Sequence, residues 1–311
     1  MLKHILILIS LTGLSSCSSR YEKYLELANK GAAEDQEKLA RLYLDGDHVD
    51  QSTDKAMIWY VKSAFNGNPE AQYRVSRYFY TERYALDRSS GLEVLREDYS
   101  KAAYYWARRS SEQGHLPATA RLAKLYVEGV GVEKNENTAY RLLLDSLAKN
   151  DPAIQYQLAL MYLDGNGVEA NTSKAFDLFK KSADQGYVLA LWDYCYYLDE
   201  GKYLIYDPKL SFKCYLNGVK YSPVFSDYLA EKYAFGKGVK QDNVLAYAWY
   251  LVSLNNHKQV LNDIDINNIK IVKGRLSNAE LNQAKYLASK WQPGKTIYRN
   301  KLTNIYFSVI Y

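Results

Sequence analysis

The sequence predicts an all-α protein, a superhelical α/α solenoid of about six helix hairpins closed by a C-terminal capping helix, and three observations predict it. A short pattern ending in a bulky anchor recurs with anchors at 43, 79, 126, 162, 198 and 233, at steps of 36, 47, 36, 36 and 35. A Gly-x-Gly turn follows the anchor in the best copies. An alanine, with a bulky residue three positions later, then opens the next segment. Self-similarity at such a period is the mark of stacked two-helix repeats.

Along the chain, the start has the parts of a secretion signal: Lys3, an apolar run from Ile5 to Leu11, and small residues closing at Cys17. The run is too short to span a bilayer as a stable anchor. Leu14-Ser15-Ser16-Cys17 resembles the lipobox of bacterial lipoproteins. That resemblance implies a signal peptide over 1–16 and acylation of Cys17. With Ser18 rather than Asp next, it also implies an outer-membrane anchor facing the periplasm. An ordinary cleaved signal with a chance cysteine is the plainer alternative. Loss of the residues before Cys17 removes Lys3 and no acid, leaving 39 Lys and Arg against 35 Asp and Glu. So mild a balance, in an envelope compartment, argues against a nucleic-acid partner.

Residues 17–27 are expected to carry the lipid and a lead-in helix, and 28–254 the repeats. The clearest unit is written twice. Leu122-Ala123-Lys124-Leu125-Tyr126 precedes Gly129-Val130-Gly131-Val132 and Ala139, and Leu158-Ala159-Leu160-Met161-Tyr162 precedes Gly165-Asn166-Gly167-Val168 and Ala175. It recurs as Leu39–Tyr43 with Ala56 and Trp59, as Val75–Phe79 with Ala103 and Trp106, and as Leu229–Tyr233 with Gly236, Gly238, Ala246 and Trp249. Tyr194–Leu198, with Gly201 and Ser211, is a degenerate copy. In the first helix of each unit the apolar residue, a small residue and the anchor share one face. The small residue, such as Ala40, Ser76 or Ala159, lets a neighbouring helix approach. The first glycine ends this helix in a left-handed conformation and the second permits the reversal. A lone hairpin cannot bury such stripes, so the units must stack.

These residues resemble the Sel-one-like repeat, a relative of the tetratricopeptide repeat, from about Ala28 to Trp291. The Gly-x-Gly-Val turn and the period near thirty-six set it apart from the tetratricopeptide type. The resemblance implies a right-handed superhelix that binds a protein, with no catalytic role and no cofactor. Departures are Asp47 and His48 in the first turn, Tyr203 and Leu204 in the fifth, and Leu142 and Leu178 where other copies have Trp. Residues 255–292 form a capping region, with an extra helix near Val260 to Ile271. Ser277-Asn278-Ala279-Glu280 then reads as a capping box opening a final helix that carries Leu281, Ala284, Leu287, Ala288 and Trp291. The tail over 293–311 has no helical period and is disordered or an extended strand.

No convergent chemistry emerges. His4, His48, His115 and His257 stand in the signal and in separate connections, and no pair has metal-ligand spacing. Ser52-Thr53-Asp54-Lys55 matches the Ser-x-x-Lys pattern of penicillin-recognising enzymes, but Ser52 stands in the turn before a helix, a position that favours a structural role. Cys195 takes a small-residue position in one helix and Cys214 the Trp position in the next, so they should face each other, as a disulfide or as two buried thiols.

The surface is more informative. Positions two and five before the anchor are not needed for packing and share a face. In the first three repeats they read Lys38 and Arg41, Arg74 and Arg77, Arg121 and Lys124. Later they become Gln157 and Leu160, Asp193 and Tyr196, Tyr228 and Glu231. The basic stripe is a candidate docking face for an acidic protein, an acidic polysaccharide or lipid phosphates, against the plain alternative of a solvated helix face. Tyrosine outnumbers phenylalanine 31 to 8, which points to half-exposed rings with one wet edge. Tyr73, Tyr156, Trp192 and Tyr196 are candidate contact anchors. The step of 47 places an eleven-residue insertion within Arg83 to Asp98, of the kind that projects on one rim. Two functions follow from the resemblance: a scaffold supporting an envelope machine for secretion or polysaccharide export, or an immunity protein that blocks a secreted phospholipase-type toxin. Oligomeric state is not legible.

Overall fold

The computed structural model describes residues 21–47, 49–86, 93–203, 206–256, 263–292, 295–299 and 306–310. The leader, Cys17, His48 and His257 lie outside them. The described chain is a succession of helices that divides into two compact units, one running to Ala170 and the other from Asn171.

In the first unit, α1 (21–29) precedes α2 (Ala33–Asp45), α3 (Thr53–Phe65), α4 (Pro69–Leu86), α5 (Glu93–Glu112), α6 (Leu116–Glu128), α7 (Glu136–Ser146) and α8 (Pro152–Asp164). Each connection is built locally. Gly46, Gly129 and Gly165 close α2, α6 and α8 in the left-handed conformation, with φ of 70, 69 and 75° and the N–H donating back to the last turn. The N–H of the residue nine after the anchor donates to the anchor carbonyl, Ser52 to Tyr43 at 2.8 Å and Asn135 to Tyr126 at 2.9 Å. The side chains of Ser52 and Asn135 then cap α3 and α7. The Ser52 hydroxyl accepts from the Lys55 N–H at 3.3 Å, so the Ser-x-x-Lys pattern is a helix start.

Fully buried alanines let the helices touch. Ala40, Ala56, Ala64 and Ala71 surround Tyr60, Val75 and Trp106, while Ala103 and Ala107 meet Leu122 and Leu125. Buried serines fasten neighbouring helices: Ser63 donates to the Ala33 carbonyl at 2.6 Å and Ser110 to that of Pro69 at 2.6 Å. The insertion in the second hairpin accompanies longer helices, α4 of 18 residues and α5 of 20 against 13 in α2.

Six of the 31 tyrosines have a more specific role than half-exposure. Tyr21, Tyr104 and Tyr140 each meet the anchor 22 residues later edge-on, and the paired hydroxyls share hydrogen bonds of 2.9, 3.0 and 2.9 Å with Tyr43, Tyr126 and Tyr162. Phenylalanine would pack equally well and forfeit that bond.

The second unit holds α9 (Thr172–Asp184), α10 (Val188–Glu200), α11 (Pro208–Gly218), α12 (Ser226–Phe235), α13 (Asn243–Asn256), α14 (Asp263–Gly274) and α15 (Asn278–Lys290). Cys195 in α10 and Cys214 in α11 form a disulfide with Cα atoms 5.5 Å apart. α14 occupies the predicted extra helix. The capping box of α15 is present, with Ser277 and Glu280 each bonding the other's backbone N–H. α15 closes on α13, where Trp291 meets the buried Trp249 ring at 6.3 Å. The tail is neither helical nor a lone strand: β1 (Lys295–Arg299) pairs antiparallel with β2 (Tyr306–Ile310), Lys295 opposite Ile310.

Candidate functional site

The six basic residues of the stripe all lie on α2, α4 and α6, at equivalent registers set by the repeat. The structure gives most of them acidic company. Lys38 reaches Asp35 at 3.3 Å, and Lys124 lies 3.7 Å from Glu128. Arg41 pairs with Glu37 and comes within 3.8 Å of Glu70. Arg74 donates to Glu70 at 2.6 Å. Arg77 and Arg121 differ: among the described residues they meet no carboxylate, and their guanidiniums lie over the rings of Tyr73 at 5.8 Å and Tyr80 at 4.6 Å. A ring face supports a cation without cancelling its charge, so these two arginines keep more of theirs than Arg41 and Arg74 do.

Glu70 is the hub. One carboxylate oxygen takes the Arg74 Nε–H, and the other takes a 3.0 Å bond from His115 Nε2. His115 Nδ1 accepts from the Ala118 N–H at 3.2 Å while capping α6, which leaves the ring hydrogen on Nε2 for Glu70. The His115 bond, aided by Arg74 and opposed by burial, holds the Glu70 carboxyl at about 2 against an ordinary 4.5. A lowered folded-state pKa contributes stability that is present above the unfolded value and lost as pH falls through the folded one. Glu70→Gln should therefore remove up to about 3 kcal/mol at pH 7. It should also flatten acid unfolding between pH 4.5 and 2, as read by circular dichroism against wild type. Equal acid transitions in the two proteins would refute this role.

The candidate aromatics separate. Tyr73 is half-buried between His115, 5.2 Å away, and Arg77. Tyr156 is a correction: at 9% exposure it belongs to the core, because its neighbours cover it where they leave Tyr73, at the same register, half-buried. In the second unit Tyr196 is 42% exposed, while Trp192 packs against Phe225 and Tyr228 at 5.9 and 5.1 Å. One class of residue escaped the sequence reading. Seven positions before the anchor, Gln36, Gln72, Thr119 and Gln155 are buried. The amides of Gln36 and Gln72 donate to the Ala28 and Ala64 carbonyls at 2.9 and 3.1 Å, and their oxygens accept from Asn66 and Gln113 at 2.8 and 2.7 Å. The spacing 36, 72, 155 was the available signal.

Among the described residues no group of His, Cys, Asp and Glu could hold a metal ion, and no helix is long and apolar enough to cross a membrane. Comparison with curated proteins gives no match. Among solved structures, the chain is similar to c5321, described as a protective antigen present in uropathogenic Escherichia coli strains and displaying an SLR fold. The two share 27% identity with a TM-score of 0.56 over 87% of this chain and 55% of that one, so this chain spans about half of the antigen's length. It is also similar in fold to a Sel1 repeat protein from Oxalobacter formigenes, at 20% identity and a TM-score of 0.53 over 78% of this chain and 99% of that one. The Sel1 repeat matches residues 33–68, 69–115, 116–149, 152–187, 188–217 and 228–253. Sel1 repeat proteins are typically non-catalytic protein-interaction scaffolds. With repeat spacing, helix hairpins and six matched copies in agreement, the chain belongs to the Sel1 repeat family.

Proposed function

We propose that this protein is an outer-membrane scaffold, anchored through lipid on Cys17 and facing the periplasm, that docks an acidic protein on α2, α4 and α6 and supports assembly or regulation of an envelope machine for secretion or polysaccharide export. The observation that carries the docking face is the pair Arg77 and Arg121, held over tyrosine rings on successive first helices instead of being neutralised. The anchor draws on the leader residues ending at Cys17. The description of the similar Escherichia coli chain as a protective antigen accords with an envelope location.

The structure also selects the variant to test. Arg74 is committed to Glu70, so reversing its charge would damage the fold as well as the surface. Arg77→Glu with Arg121→Glu changes only ring-supported cations. Capture of the partner from solubilised envelopes by the tagged full chain should fall at least about tenfold, with stability lowered by no more than about 1–2 kcal/mol, the worth of two ring contacts. Unchanged capture would remove the docking face. Capture of a lipase-type protein would assign the inhibitory role instead of the scaffold.

A further inference from the structure

The outer face of α3 is unlike that of the other second helices in the first unit. Lys55, Ile58, Lys62 and Phe65 follow one another at steps of three, four and three, with Trp59 four after Lys55, so all five share one side of the helix. Ile58 is 56% and Phe65 72% exposed, and Trp59 is half-buried. Among the described residues α5 and α7 each expose a single large apolar side chain, Tyr105 and Leu144, which is ordinary for a surface helix. Lys55 and Lys62 meet no carboxylate among the described residues, and their ammonium groups lie over the rings of Tyr43 at 5.4 Å and Trp59 at 4.0 Å. The acid of the helix, Asp54, is confined to its first turn. Exposed apolar side chains beside uncompensated cations, with an indole among them, are what a helix lying in a membrane surface presents.

The place of this face in the chain supplies its occupant. Residues 18–20 alone separate Cys17 from α1, so the span from Cys17 to Tyr21 is at most about 14 Å. Tyr21 shares a 2.9 Å hydrogen bond with Tyr43, and Lys55 lies over the ring of that same Tyr43. The start of α3 therefore stands beside the start of α1, where a lipid on Cys17 would hold it against the bilayer. We propose that α3 rests on the bilayer through this face, with Lys55 and Lys62 on lipid phosphates and Ile58, Trp59 and Phe65 among the upper acyl chains. The inference rests on the anchor proposed above and adds a second contact to it, one that uses no residue of the basic stripe on α2, α4 and α6. Trp59 suits that depth, since its ring is apolar and its N–H stays at the wet edge.

The test uses the full lipid-bearing chain in vesicles of phosphatidylethanolamine and phosphatidylglycerol, with or without bromine near the top of the acyl chains. Bromine quenches a ring only on close contact, so the emission of chain floated with the vesicles should fall by about a fifth, the share of one of its 5 tryptophans. Trp59→Phe should abolish that loss, and Lys55→Glu with Lys62→Glu should shrink it at least about threefold, while both variants still float. Both should keep a melting temperature near that of wild type, since neither lysine holds an ion pair among the described residues. Floated chain with equal emission in brominated and plain vesicles overturns the seating of α3 and leaves the anchor standing. A wild-type chain that stays in the aqueous fraction overturns both. Quenching that persists in Trp59→Phe, or that is unchanged in the lysine variant, overturns this face as the contact. Trp59 shielded from aqueous acrylamide yet untouched by bromine overturns the bilayer as occupant and gives the face to a second copy of the chain.

Discussion

Replacing Gly167 with alanine is expected to destabilise the first unit by about 3 kcal/mol or more, whereas the same change at Gly165 should cost only about 1–2 kcal/mol. Both glycines have positive φ, 69 and 75°, so the backbone penalty alone is similar. They differ in what a methyl group would meet. At Gly165 the nearest atom is the Ala170 Cβ at 3.5 Å, an ordinary contact. At Gly167 the methyl would stand 2.4 Å from the carbonyl oxygen of Glu136 and 2.6 Å from its carbon, at the start of α7 in the preceding repeat. Backbone cannot yield there without moving the repeat. Gly131 over Ser100 and Gly238 over Pro208 show the same approach, at 2.0 and 1.8 Å. The second glycine of the turn is therefore a contact between successive repeats as well as a reversal. Denaturant unfolding of the two variants tests this, and equal midpoints would show that the close approach carries no energy.

Asp199→Ala should be the second most damaging change, at about 3–5 kcal/mol, because it strands a buried ammonium. Lys232 is 1% exposed, ion-paired with Asp199, and its Nζ lies 5.6 Å from the centre of the Tyr215 ring. Asp199 has other recourse, since its side chain is 23% exposed and accepts from Ser211 at 3.1 Å. Lys232→Met should accordingly cost less, about 1–2 kcal/mol, and adding it to Asp199→Ala should recover stability. Unfolding free energies of the two single variants and the double variant decide the matter. A double variant as unstable as the sum of the singles would mean that the pair is not coupled.

Much of the fold was legible because its causes are local. The anchor spacing places Leu39, Ala40 and Tyr43 on one helical face whatever surrounds them, and a glycine three residues later ends the helix in each regular copy. The capping box at Ser277 and Glu280 is likewise complete within four residues. The glutamine seven residues before the anchor repeats in three of the six copies, yet a polar residue inside a helix gives no local reason for burial. Only the carbonyls of Ala28 and Ala64, at the ends of preceding helices, supply one.

The candidate site was legible as positions and, for four of its cations, as acids three or four residues away on the same helix. Sequence placed six cations on equivalent turns of three helices. Glu70 and His115, 45 residues apart, meet only because stacking brings α4 and the start of α6 together, whereas the pair of Arg74 with Glu70 spans one turn of a single helix and was available in the sequence. Tyr156 failed for a related reason, since its exposure depends on what covers α8 and not on its own turn. The sequence by itself determined the helices, their ends and the need to stack, because backbone conformation and apolar periodicity act over a few residues. Tertiary structure alone decided that Glu70 meets His115, that Arg121 lies over Tyr80 and which glycine touches a neighbour, because those depend on groups that stacking brings together from distant parts of the chain.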